Sequence, residues 1–299
     1  MSAVAVAVVT DSASDLPAAW RAEQGVAMVP LTVWVDGREY RDQVDLDGAG
    51  FLRLLADSRE LPRTAAPAPG AFAEAYRRLK EQGADGILSI HLSGALSATV
   101  RAAEAGRDLV PEAGPVAVVD GRSASLGTGL LVWWAAAGAR AGRPLAALTA
   151  EVEALRRQMT ALFVPRTLEY LARGGRIGHA ARLVGGMLDM KPVLDLSEGS
   201  VRPVRKVRGW RQVPAALLAE AAARVPPGSA VLAAVGHVGD GGTAGLLAEG
   251  IRQRYQVLGL LAGEVGPVIG THAGPGAVGC FLLALDAGQA AVWEEAAGA

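Results

Sequence analysis

Cysteine is nearly absent from this 299-residue chain. A lone Cys280 excludes an internal disulfide and any cluster of thiolate zinc ligands, and it fits a reducing, cytoplasmic compartment. Aromatics are only 5% of residues, so the core has to be built from aliphatic side chains and alanine. Net charge is lacking too. Lys+Arg 29 against Asp+Glu 30 leaves -1, which argues against nucleic acid or an acidic membrane held over the whole surface. That count leaves room for a local basic patch. The longest uncharged stretch, 265–285, contains His272, two prolines and five glycines, a poor lipid-facing helix. The N-terminal apolar run 3–9 has no basic region before it and meets Asp11 at once, unlike a signal peptide. A soluble protein without an integral membrane segment is expected. P-loop, H-E-x-x-H and G-x-S-x-G patterns are missing as well.

What is present points to a folded α/β protein. Hydrophobic residues reach 51% and charged residues 20%, a balance that argues against disorder, and the length suggests about two domains. β-Branched residues 4–9 read as a strand ending at Asp11, and Asp15 is placed to cap a helix running to Gln24. Residues 26–35, the turn pair Asp36-Gly37 and residues 38–40 read as a hairpin. Helices are expected over 70–81, 98–110, 127–141 and 145–159, with strands over 86–92 and 116–120. This alternation predicts a mostly parallel sheet covered by helices. The second half reads as a strand over 160–164 and a glycine-punctuated helical stretch over 168–190. Strands 192–196 and 201–207 then pair through Ser197-Glu198-Gly199-Ser200. Helices 213–224 and 243–255 flank a strand over 230–235, and two late strands lie around Val257 and Val278. Composition shifts near residue 160 from alanine-rich helix to Arg/Gly-rich loop. The expected division is an N-terminal α/β unit, 1–160, and a C-terminal α/β unit, 161–299.

Three polar clusters follow expected strands: Thr10-Asp11-Ser12-Ala13-Ser14-Asp15, Ser93-Gly94-Ala95-Leu96-Ser97-Ala98-Thr99 and Asp120-Gly121-Arg122-Ser123. In an open α/β sheet, ligands bind beyond the carboxyl ends of the strands, where helix N-termini offer free N–H groups. Asp15, Ser97 and Ser123 equally suit plain helix caps. Among the histidines, His91 reads as a hydrogen-bonded core residue, His179 as exposed and His237 as the end of an apolar strand. His272 stands in Gly270-Thr271-His272-Ala273-Gly274-Pro275-Gly276, so rich in breakers that a non-helical path is expected. Gly274 to Gly279 fits the letter of G-x-G-x-x-G, but a strand-like run follows where a helix is needed, so a dinucleotide site is rejected. Arg166, Arg173 and Arg176 form one basic stretch, and Arg202, Arg205, Lys206, Arg208 and Arg211 form another without an intervening acid. Such runs are either solvated faces or docking faces for an acidic partner or a phosphate.

Taken in chain order, the motifs resemble the DegV family, the fatty-acid-binding proteins that include the FakB subunits of bacterial fatty acid kinase. The landmarks are Val9-Thr10-Asp11-Ser12, Pro62-Arg63-Thr64 with Pro67, and Ile90-His91-Leu92-Ser93 through Leu96-Ser97. Thr167-Leu168-Glu169-Tyr170-Leu171, Gly174-Gly175-Arg176-Ile177, Lys191-Pro192-Val193-Leu194, Val207-Arg208-Gly209, Gly270-Thr271-His272 and Gly274-Pro275-Gly276 complete the series over residues 4–286. Two places depart from the family pattern: Thr64-Ala65-Ala66-Pro67-Ala68 stands for Thr-Ser-Gln-Pro-Ser, and Leu96-Ser97-Ala98-Thr99 for Leu-Ser-Gly-Thr.

The resemblance implies two α/β domains with a fatty acid held between them. Thr64, Ser97 and His272 would grip its carboxylate, with Ser93 in the same loop as a weaker contact, and the acyl chain would run into an apolar tunnel. It implies a binding module with no catalytic residue, metal or cofactor of its own. The module would present a long-chain fatty acid to a separate kinase catalytic subunit, and the acyl-phosphate would feed phospholipid synthesis. Arg176 and Arg208 would then belong to the kinase-docking and phosphate-accepting surface, where arginine suits multi-donor contacts. Contact with a membrane surface would be transient. The competing readings are a Ser97/His272 hydrolase of acyl or phosphoester substrates and a lipid sensor with no kinase partner.

Overall fold

The computed structural model describes residues 6–183 and 189–298. Strands β1 (Val6–Asp11), β2 (Val26–Val29), β3 (Thr32–Val35), β4 (Arg38–Arg41), β5 (Arg63–Ala65), β6 (Gly86–His91) and β7 (Val116–Asp120) come first. Between and after them lie α1 (Ala18–Glu23), α2 (Gly48–Asp57), α3 (Pro69–Glu81), α4 (Thr99–Asp108), α5 (Leu126–Arg140) and α6 (Leu145–Leu155). The parallel sheet β2-β1-β6-β7 is flanked by helices, as the alternation predicts. A separate antiparallel sheet, β4-β3-β5, stands beside it.

The second half supplies β8 (Met159–Val164), β9 (Met190–Asp195), β10 (Arg202–Arg208), β11 (Ala230–His237), β12 (Gln256–Glu264) and β13 (Val278–Ala284). They form one mixed sheet in the order β10-β9-β8-β13-β11-β12, parallel only between β11 and β12. Its helices are α7 (Glu169–Arg173), α8 (Val213–Arg224), α9 (Gly241–Arg254), α10 (Pro267–Ala273) and α11 (Ala287–Gly298). No helix among the described residues is long and apolar enough to cross a membrane.

Helix α5 joins the halves. It is buried almost all round and packs on β1 and β6 as well as on β11 and β13. Two glycines permit that approach: a Cβ at Gly129 would stand 2.8 Å from Ser14 O, and one at Gly127 would stand 2.7 Å from the Phe281 ring. One aliphatic core therefore runs from Val8, Leu88 and Ile90 through α5 to Leu232 and Phe281.

Four local expectations are corrected. Residues 26–35 are not one hairpin arm: Pro30, which has no N–H to donate, separates β2, in the parallel sheet, from β3. The Asp36-Gly37 turn does close the β3–β4 hairpin, with positive φ at both residues. Asp15 does not start α1; it is buried in a left-handed conformation at the end of the 3-10 turn Ser12–Ser14, where Asp11 accepts the Ala13 N–H. Helix 168–190 is replaced by the short α7, a 3-10 segment Gly178–Leu183 and the start of β9, with 184–188 outside the described residues. The expected non-helical path at Gly270-Thr271-His272 is in fact α10. Glycine there costs propensity, but Pro267 at its first position favours the start and packing on α2 and α7 holds the helix.

Candidate functional site

Thr64 lies in the middle of β5, opposite Val33 of β3. The proline-rich stretch around it cannot continue a helix and is confined to a sheet edge. His272 lies in the last turn of α10, which Gly274 ends with φ 77. The two side chains meet across 208 residues of sequence, with Thr64 Oγ1 2.9 Å from His272 Nε2. The other ring nitrogen, Nδ1, is shielded from solvent and has no partner. Gly174 packs against it so closely that a Cβ there would overlap the nitrogen.

Arg176 extends the contacts. Its Nη1 donates to Gly174 O at 2.8 Å and its Nε to Leu96 O at 3.0 Å, bridging the loop beside His272 and the loop that carries Ser97. The Ser97 hydroxyl pairs with Thr99 Oγ1 at 2.8 Å and accepts the Thr99 N–H at 3.3 Å, so it does act at the start of α4. The Ser123 hydroxyl is buried without a partner and caps nothing.

Thr64, Ser97, Arg176 and His272 border one cavity of about 890 Å³ of empty space, part of it open to solvent. Its remaining walls are largely apolar: Leu31, Leu92 and Leu96 from the first half, Phe163, Val268, Ile269 and Phe281 from the second. This lining suits a small-molecule site with a few convergent polar groups. Burial pushes the His272 pKa down to about 4, and the Arg176 charge acts in the same direction. The ring is therefore neutral near pH 7. A neutral imidazole, two hydroxyls and one guanidinium make a polar end that favours an anion.

Ser93 and Arg208 are not part of this lining. Ser93 is buried; its hydroxyl donates to Gly199 O at 2.7 Å and accepts the Ala95 N–H, so it ties the Ser97 loop to the β9–β10 turn. Arg208 ends the exposed edge strand β10, its side chain 82% exposed and 3.8 Å from Asp189. His237 does border the cavity, but its ring lies near Gly241 at the start of α9.

The family model described as "Uncharacterised protein, DegV family" matches residues 5–285. The chain belongs to the DegV family. A DegV domain-containing protein of Streptomyces coelicolor is 39% identical over 93% of this chain and 98% of its own length. One from Deinococcus radiodurans is 37% identical over 95% and 100%. Among solved structures, a DegV family protein from Thermus thermophilus, described as fatty-acid binding, superposes with TM-score 0.88 at 38% identity, covering 94% of this chain and 99% of its own. DegV from Bacillus subtilis, a fatty acid binding protein, gives 0.81 at 29% identity over 94% and 99%.

Hydrolysis by a DegV chain would need a hydroxyl bonded to a histidine that is oriented by an acid. Here Ser97 is paired with Thr99, and His272 Nδ1 meets no acid. An Asp–His–Ser chain does exist elsewhere. Asp11 Oδ2 is 3.0 Å from His91 Nδ1, His91 Nε2 is 2.7 Å from Ser89 Oγ, and Ser89 is 2.8 Å from the Tyr76 hydroxyl. All four side chains are fully buried, so no substrate reaches Ser89.

Sequence reading missed several parts of this DegV cavity. Phe163 and Phe281 wall it from neighbouring strands β8 and β13, and the only signal was their rarity in an aromatic-poor chain. Gly174 is only a motif letter in the sequence, and its role as clearance for His272 emerges from the fold. Ser125, which borders the cavity with φ 54, carried no sequence signal.

Proposed function

We propose that this protein binds a long-chain fatty acid, the carboxylate held by Thr64, Ser97 and His272 beside Arg176 and the acyl chain lying in the apolar cavity. The observation that carries this reading is the Thr64–His272 contact, with an unpartnered imidazole nitrogen, on the wall of that cavity. A buried carboxylate is tolerable only when hydrogen-bonded, and these groups supply the donors. The tail adds about 0.8 kcal/mol per buried methylene, so ten methylenes give ~8 kcal/mol before ordering costs. The fatty-acid binding described for the Thermus and Bacillus relatives supports the same reading. Residues up to about 160 form the unit that supplies the hydroxyls, and the unit after it supplies His272 and the basic loops. Mass spectrometry of organic extracts tests the reading directly. A co-purified long-chain acid, lost in His272→Ala, is the expected result; an empty protein that takes up no added hexadecanoate overturns it.

The bound carboxylate is then presented to a separate kinase in a reducing cytoplasm, and this chain acts as carrier, not catalyst. Exposed Arg208 and cavity-bordering Arg176 offer positive charge to the incoming phosphate. Acyl-phosphate formation with a cognate kinase is expected to fall in Arg208→Ala while fatty-acid retention stays unchanged. Unchanged phosphorylation in both Arg176→Ala and Arg208→Ala overturns the docking role.

A further inference from the structure

Two buried carboxylates of the first half reach into the second. Asp15 Oδ1 accepts the Gly266 N–H at 2.8 Å, and Asp42 Oδ1 accepts the Val268 N–H at 3.2 Å. Both donors belong to the start of α10. Neither acid has a cation in ion-pair contact among the described residues; Arg21, which Asp42 feels, donates its Nε to Leu16 O instead. Asp15 also accepts the Ser125 hydroxyl at 2.6 Å and Gln43 Nε2 at 3.1 Å, whereas Asp42 Oδ2 is shielded and unpartnered.

Backbone strain gathers at the same place. Asp15 (φ 55), Gln43 (φ 57) and Ser125 (φ 54) all hold positive φ, and the hydrogen bonds above join the three. Non-glycine residues keep such conformations only where their surroundings over-determine them, and these clusters favour functional sites. Gly266 leaves no slack, since a Cβ there would stand 3.0 Å from Gln43 Nε2 and 3.1 Å from Asp42 Oδ1. From this anchored start, α10 carries Val268, Ile269 and His272 to the cavity within seven residues.

We propose that Asp15 and Asp42 are positioning residues that clamp the start of α10 and so hold His272 against Thr64. The expected effect on ligand affinity rests on the fatty-acid reading above; the effect on His272 does not. Two measurements on the full-length chain test both parts: the imidazole ¹⁵N shifts of His272 without ligand, and hexadecanoate binding by displacement of a fluorescent fatty acid. Asp15→Asn and Asp42→Asn are expected to move the His272 shifts and to weaken hexadecanoate about tenfold, as for one lost buried hydrogen bond. Tyr76→Phe, which disturbs the other buried polar chain, is expected to leave both readouts in place. If Asp15→Asn does not fold, Gln43→Ala removes one donor to Asp15 and is read the same way. Unchanged His272 shifts in folded Asp variants overturn the clamp. If the wild type takes up no hexadecanoate while these variants still move His272, the fatty-acid reading fails and the clamp stands.

Discussion

His91 and His272 are both enclosed by protein, yet their surroundings are opposite. The His91 ring uses both nitrogens, one on Asp11 and one on Ser89, and the chain of bonds ends at the buried Tyr76 hydroxyl. His272 uses one nitrogen on Thr64 and leaves the other shielded and empty-handed beside an arginine. A polar chain closed on itself stiffens a core, whereas on the proposed reading the open one beside the cavity meets the ligand.

The largest effect expected on this contrast is loss of the closed chain. His91→Ala takes one partner each from buried Asp11 and Ser89 and leaves a cavity in the core, so it should cost about 3–5 kcal/mol of stability by urea unfolding. Retained fatty acid per folded molecule should be unaffected. If retention falls first, the His91 chain belongs to the site and the contrast breaks. His272→Ala is the reverse case. It should lower fatty-acid affinity about 100-fold, ~2.7 kcal/mol, with a smaller change in unfolding midpoint. A large stability loss with normal affinity would make His272 a core residue like His91.

Gly174→Ala sharpens the comparison from the other side. The added Cβ overlaps His272 Nδ1, and overpacking of this kind costs about 1–3 kcal/mol. The ring has to shift off Thr64, so affinity should fall with stability. A variant with wild-type retention would show that Nδ1 clearance is unused.

The pH response has a definite sign. His272 has a folded pKa of about 4 against 6.5 in the open chain, so the unfolded state binds more protons between those values. Its contribution is fully present above pH 6.5 and is lost progressively as pH falls to about 4. Asp42, raised by burial to about 6, acts oppositely, gaining stability as pH falls through the same region. The difference between wild type and His272→Ala isolates the first: wild type should lose ground to the variant from pH 6.5 down to 4. Parallel curves would show that His272 is solvated. The smallest effect concerns two serines of one loop. Ser97→Ala should weaken fatty-acid binding several-fold, about 1 kcal/mol, while Ser93→Ala should change stability alone by freeing Gly199 O. The opposite outcome would place Ser93 in the site.

Much of the fold was legible because its signals are local. Val116–Asp120 and Val213–Arg224 carry their periodicity and boundaries in adjacent residues, and the structure places them where the pattern does. Where neighbours mislead, tertiary contact wins. Asp15 looks like a helix cap, and the residues around His272 look like a loop. The first is drawn inward by Ser125 and Gly266; the second is held helical by what packs on it. The candidate site residues Thr64, Ser97 and His272 were legible only through motif resemblance, since no spacing rule joins positions 64, 97 and 272.

Composition alone decided that the core is aliphatic and that no disulfide supports it, and the local pattern of residues decided that strand and helix alternate in the first half. These follow from side-chain chemistry and short-range geometry, which any stretch of chain carries with it. Only the tertiary structure decided which histidine is closed and which is open, that Thr64 meets His272 and that Asp15 reaches Gly266. Those pairings span up to 251 residues and depend on how α5 seats one sheet against the other. Hydrogen bonding acts over about 3 Å, so it is settled only after packing has brought such distant segments together.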